Sequence, residues 1–177
     1  MPVPAPPPQV QRPWLLLDVD GVLSPYGNRS GAWRDWRQAG NPDGFALPLS
    51  LELSRHVAAL PLDRVWLTTW RHEANTVVAP FLGWPDVPVL DFAESGEQRS
   101  ALPEKLAAAA AFLEANPRPF VWVDDDLASH PSASTWAARS GLPYLLLSPR
   151  STVGLTLSQI RAVERWTRAP ERAGLLR

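Results

Sequence analysis

Two short apolar runs in this chain end in clustered acid, and this feature constrains the fold more than any other. Trp14–Val19 (WLLLDV) leads into Asp18, Asp20 and Gly21, and Phe120–Val123 (FVWV) leads into Asp124, Asp125 and Asp126. Five of the ten Asp residues lie in these two places. An apolar run without polar alternation is the mark of a strand buried on both faces, and such strands occur in parallel sheets covered by helices. Charge placed directly after such a run leaves the sheet at its carboxyl edge, where open α/β sheets build their ligand sites.

The rest of the chain extends the pattern. Arg64–Thr68 (RVWLT), Val87–Leu90 and Pro143–Leu147 read as further strands. Helical stretches separate them. Leu49–Leu60 carries a stripe at Leu49, Leu53, Val57 and Leu60, and His72–Phe81 reads as a helix weakened near Pro80. Pro103–Ala115 has Pro in its first turn, five consecutive Ala, and Asn116-Pro117 as a stop. Ser132–Ser140 is closed by Gly141, and Thr156–Thr167 opens with the capping box Thr156-x-x-Gln159. The alternation predicts a Rossmann-like three-layer α/β/α fold with a five-stranded parallel sheet. Residues 1–13 hold six Pro and read as a disordered tail. Residues 14–170 read as a single domain. Within it, 24–48 is a short Gly/Pro-rich flap with one helical turn around Trp33–Arg37.

Composition narrows the function classes. The chain has 177 residues, a net charge of −1 and no Cys, which excludes thiolate zinc sites, disulfides and a cysteine nucleophile. That charge gives no basic footprint, so a membrane surface and long nucleic acid are disfavoured as partners. No apolar run is long enough to span a bilayer, and the N-terminus lacks the pattern of a secretory signal, so a cytoplasmic location is expected. There is one Lys, Lys105, among 17 basic residues. It marks either a site where a compact charge serves better than a planar fork, or chance on a solvated helix face.

Parallel strands bring Asp18, Asp20, Thr68 and the 124–126 triplet to one edge, with Lys105 in the first turn of the helix before the fourth strand. Crowded carboxylates repel, and a cation resolves the repulsion. Oxygen ligands without His or Cys favour Mg²⁺. Residues i and i+2 of an extended strand face the same way, so Asp18 and Asp20 can address one substrate. A cation, a Lys and a Thr hydroxyl together suit a phosphoryl group. The competing role for an acid after a strand is to cap the next turn, and Asp126 is the best candidate for it.

The residues also resemble a known family. LLLDVDGVLSP resembles motif I of the haloacid dehalogenase (HAD) superfamily, hhhhDxDGx. VWLTT resembles motif II, Lys105 falls where the motif III Lys would, and FVWVDDD resembles motif IV. The four occur in the family's order across residues 14–126. The resemblance implies a phosphomonoester hydrolase. Asp18 would be the nucleophile that forms an aspartyl-phosphate, and Asp20 the general acid and then base. Thr68, in preference to Thr69, would hold phosphoryl oxygens with Lys105, which would also steady the nucleophile. Mg²⁺ would be held by the Asp18 carboxylate, the Asp20 backbone carbonyl and Asp125, with Asp124 second to Asp125.

The gaps between motifs add to this. Only 28 residues separate Asp20 from Leu49, and 36 separate Thr68 from Lys105. Neither holds a domain of about 50 residues. A capless member is implied, with an open site for a bulky or nucleotide-like phosphorylated substrate. In the flap, Tyr26, Arg29, Trp33, Arg34, Trp36 and Arg37 offer groups for a phosphate and a ring, although packing is the simpler role for the Trp pair. Trp66 and Trp122 read as core. Trp70 stands at the site edge, and His72 and Arg150, with its loop 148–154, receive no role. Two other readings differ in kind. A binding module on the same fold would turn over little. A signalling receiver domain would place its acidic pair, acceptor Asp and Lys in another order.

Overall fold

The computed structural model describes residues 11–27, 33–40, 44, 46–93, 100–170 and 172–176. Residues 1–10 of the Pro-rich tail and Arg29 of the flap lie outside them. Four predicted strands form a parallel sheet in the order β4 (Asp63–Trp66), β1 (Trp14–Leu17), β5 (Phe120–Val123), β6 (Tyr144–Leu147). Leu17 pairs with Trp66 on one side and Val123 on the other, so the runs end level with one another.

Apolar runs place alternate residues on opposite faces, and both faces are covered. Leu15, Leu17, Val121, Val123, Leu145 and Leu147 share one core with Leu53, Val57, Ile160 and Val163. Leu16, Val65, Trp122 and Leu146 share the other with Leu102, Ala109, Leu113, Ala133 and Ala137. The first layer is built by α1 (Leu51–Ala59) and α5 (Leu157–Arg168), the second by α3 (Leu102–Ala115) and α4 (Pro131–Arg139). Each fully buried Leu contributes about 1.5–3 kcal/mol of transfer free energy, so the strands are held mainly by their own side chains. The α5 capping box is formed as read: Thr156 Oγ1 accepts from Gln159 N–H at 3.4 Å, and the Gln159 side chain accepts from Thr156 N–H at 3.0 Å.

Three readings need correction. Val87–Leu90 is not a strand. It makes an isolated bridge from Val89 to Trp66, because Pro88 within it has no N–H to give to a ladder. The position beyond β6 is taken instead by β7 (Arg172–Leu176), parallel to it. The flap does not form a helical turn at Trp33–Arg37. It forms β2 (Trp36–Gln38), antiparallel to β3 (Pro48–Ser50), which also moves the start of α1 from Leu49 to Leu51. Ser50 caps α1 by accepting from Leu53 N–H at 3.0 Å, and its hydroxyl donates to Asp35. Trp33 is buried, and its indole N–H donates to the Leu155 carbonyl at 2.7 Å, so it packs the flap down.

The third correction concerns His72–Phe81. It is a π-helical turn, Ala74–Val78, running into the short α2 (Ala79–Leu82). Ala79 N–H reaches back five residues to Ala74 just before Pro80, which has no N–H to continue an α ladder.

Candidate active site

The strand ends step across the sheet in register. Leu67 N–H donates to Leu17 C=O at 3.0 Å, Asp18 N–H to Val123 C=O at 3.1 Å, Asp124 N–H to Leu147 C=O at 3.1 Å, and Ser148 N–H to Leu176 C=O at 2.8 Å. Each donor sits one residue past the last paired position of its strand. Asp18, Asp124 and Ser148 thereby emerge side by side, and Thr68 follows Leu67.

Lys105 binds two of these carboxylates. Its Nζ donates to Asp18 Oδ2 at 2.5 Å and to Asp124 Oδ2 at 2.7 Å, with all three side chains almost fully buried. Of its two readings, the solvated helix face is thereby set aside. The remaining oxygens are also committed. Asp18 Oδ1 accepts from Val19 N–H at 2.7 Å, and Asp124 Oδ1 accepts from Asp126 N–H at 3.0 Å. Burial alone would push the Lys105 ammonium down, but Asp18 and Asp124 outweigh it and hold it above its usual range. Asp124 is raised, by burial first and then by Asp18.

Asp125 completes the cluster. One oxygen each from Asp18, Asp124 and Asp125 can lie within 4.8 Å of the others. Three carboxylates facing one ammonium leave two negative charges uncompensated, and burial with the Asp18 and Asp126 charges pushes Asp125 up to about 6. The donor set is all carboxylate oxygen, which suits a hard divalent cation. Gly21 makes the approach possible. It has φ +68°, and a Cβ there would fall 2.3 Å from Asp125 Oδ2. Only glycine fits both the left-handed backbone and the contact.

Asp20 stands apart from the cation cluster. It is partly buried, and its Oδ2 accepts from the Trp70 indole N–H at 2.9 Å. Burial and the Asp18 charge raise its pKa, opposed by Trp70 and Lys105. A carboxyl held toward its neutral form is suited to give a proton. Thr68 is fully buried, with its Oγ1 accepting from Trp70 N–H at 3.4 Å, whereas Thr69 is exposed.

The sequence reading misplaced one role and missed two. Asp124, not Asp126, caps the 3-10 turn Asp125–Ser129, and Asp126 accepts from the Ser100 hydroxyl at 2.6 Å. Trp70 was placed at the edge without its partner. Ser148 opens the 148–154 loop, which receives no role from the sequence, yet its hydroxyl donates to the Asp125 carbonyl at 2.8 Å and accepts from Ala128 N–H at 3.0 Å, pinning the turn that carries Asp125. The rule that put weight on residues after strands also points to Ser148, which follows β6 directly. His72 pairs with Asp91 at 3.0 Å on the exposed surface.

Over residues 14–160 the chain matches the family model described as the HAD domain in Swiss Army Knife RNA repair proteins. No curated protein and no solved structure matches it.

Proposed function

Because this chain belongs to the HAD superfamily, in the family of HAD domains from Swiss Army Knife RNA repair proteins, we propose that it is a Mg²⁺-dependent phosphomonoester hydrolase that removes a terminal phosphate from RNA or a nucleotide. Membership supports a phosphatase-type hydrolase. The metal, the covalent route and the substrate are our reading, and the observation that carries it is the buried Asp18–Lys105–Asp124 bridge beside a separately held Asp20.

Asp18 is the nucleophile. One carboxylate oxygen attacks phosphorus, the bond from phosphorus to the leaving oxygen breaks, and Asp20 gives its proton to that oxygen. Water then attacks phosphorus, Asp20 takes the water's proton, and the Asp18 carboxylate is released with inorganic phosphate. Lys105 stays protonated throughout, so it keeps Asp18 aimed and offsets the charge gathered on the phosphoryl oxygens. Thr68 and the backbone that follows it hold a phosphoryl oxygen. Asp18, Asp124, Asp125 and the Asp20 carbonyl would hold Mg²⁺, with Asp125 the main carboxylate of the triplet. The ion supplies charge neutralisation between an anionic nucleophile and an anionic phosphate.

The test is phosphate release from an aryl phosphate and from a terminally phosphorylated oligoribonucleotide, with Mg²⁺ and with chelator, for the wild type and Asp18→Asn. We expect release that needs Mg²⁺ and falls at least about a thousandfold in the variant. Equal release from wild type and variant would overturn the reading, and so would no release from either substrate.

A further inference from the structure

Beside the carboxylates runs a cleft of about 560 Å³, lined by Asp125, Ala128, Ser148, Arg150, Ser151 and Thr152 among others. One end is Asp125. The other carries an exposed guanidinium and two hydroxyls, from Arg150, Ser151 and Thr152. The walls are tied to the β1 turn through the backbone. Tyr26 N–H donates to the Ser151 carbonyl at 2.8 Å, and Leu155 N–H donates to the Val22 carbonyl at 2.8 Å. Arg150 C=O accepts from both Val153 and Gly154 N–H at 2.8 Å, which closes the loop on itself. Gly154 packs so tightly on this turn that a Cβ would lie 2.7 Å from Val22 O. The cleft is therefore held in shape without a ligand.

Tyr26 is the second observation. It is 55% exposed, the more exposed of the two large hydrophobic side chains that stand in solvent among the described residues. It is attached to the cleft at Ser151 and close enough to Asp20, Asp125 and Asp18 that, beyond burial, their charges raise its phenol. An exposed aromatic ring on a residue bonded to the cleft wall, with a guanidinium and hydroxyls lining a cleft that reaches Asp125, matches the parts of a nucleotide: a base to stack, a phosphate to pair and a ribose to hydrogen-bond.

We infer that this cleft binds the nucleotide adjoining the scissile phosphate of a single-stranded RNA end, with Tyr26 stacking a base and Arg150 pairing the next phosphate along the chain. The inference rests on the phosphatase reading for the position of the scissile phosphate, but the cleft itself can be tested without turnover. It also meets the charge argument from composition: a net charge of −1 gives no long basic track, but one guanidinium is enough to grip one phosphate at the end of a strand.

The test has two arms. In the first, a labelled hexaribonucleotide, in 3′-phosphorylated and 5′-phosphorylated forms, is titrated against the full chain carrying Asp18→Asn, with and without Tyr26→Ala or Arg150→Ala, and anisotropy is read. Each added substitution should raise Kd at least about fivefold, and Arg150→Ala should flatten the salt dependence by about one phosphate contact. In the second arm, the ratio of kcat/KM for the hexaribonucleotide over an aryl phosphate is measured in an otherwise wild-type background. That ratio should fall at least about fivefold in either variant and hold in Arg139→Ala, on the surface of α4. Unchanged Kd values and ratios in both variants would overturn the cleft while leaving the phosphatase intact. Kd shifts without any phosphate release would uphold the cleft and remove the phosphatase reading.

Discussion

The two acidic clusters start from the same sequence signal and end in different jobs. After β1 the chain bends at Val19, whose carbonyl accepts from Val22, Leu23 and Ser24 N–H, so Asp18 and Asp20 are parted by a buried residue. Asp18 goes to Lys105 and Asp20 to Trp70. After β5 the backbone stays extended at Asp124 and enters the 3-10 segment at Asp125, so three successive acids take three directions. Asp124 goes to Lys105, Asp125 lies against Gly21, and Asp126 goes to Ser100. The difference is one of backbone, not of side chain. A turn closed on the Val19 carbonyl sorts two acids into two roles, whereas the 3-10 turn entered at Asp125 gives each member of the triplet its own direction.

The largest effect that separates the two clusters is expected at their shared cation. Lys105→Met leaves Asp18 and Asp124 buried face to face and should cost about 3–5 kcal/mol in urea unfolding with chelator present. Asp126→Asn, in the same triplet, should stay within about twofold of wild type in phosphate release, because its partner is the Ser100 hydroxyl at the rim. If Lys105→Met costs no stability, or Asp126→Asn abolishes release, the clusters are not divided as the geometry divides them.

Gly21→Ala comes next. It presses on Asp125 alone, and should weaken Mg²⁺ binding by about 10–100-fold in a calorimetric titration while changing the far-UV spectrum little. The gentlest break is pH. Asp20, Asp124 and Asp125 are all raised in the fold, so each favours folding while neutral. That stability is present below the unfolded carboxylate value near 4 and is lost as pH rises through the folded values, about 6 for Asp125. Without Mg²⁺, Tm should therefore gain at pH 5 relative to pH 8 from these groups. The stabilisation by added Mg²⁺ should be larger at pH 8, because protons compete for Asp125 below about 6.

The parts of this arrangement that local pattern controls were legible in the sequence. Runs such as Leu15–Leu17 and Phe120–Val123 announce buried strands because burial on both faces requires unbroken apolar residues, and parallel pairing then sends Asp18 and Asp124 to one edge. Lys105 was visible as the sole Lys and by its place in a helix start. What was not legible depends on contacts distant in the chain. Trp70 meets Asp20 across 50 residues, and no periodicity encodes that. Val87–Leu90 looks like a strand by composition, but Pro88 limits how many ladder bonds it can make. β7 lies after the last recognisable helix, in a short segment without the long β-branched run that would have marked it. The cap of the 3-10 turn went to Asp124 rather than Asp126 because the residue that leaves the strand, and not the one after it, has the extended backbone a cap requires.

The rung of amide bonds at the strand ends has a consequence for how the molecule fails. Asp18 and Asp124 hang from N–H groups that are themselves the last bonds of the sheet, to Val123 and Leu147. Such amides exchange with solvent only when the strands part, and the strands part only when both cores open. The floor of the candidate site thus has no private melting transition. Its protons should be among the slowest in the chain to exchange, and on heating the acidic cluster should survive as long as the sheet does and disappear with it.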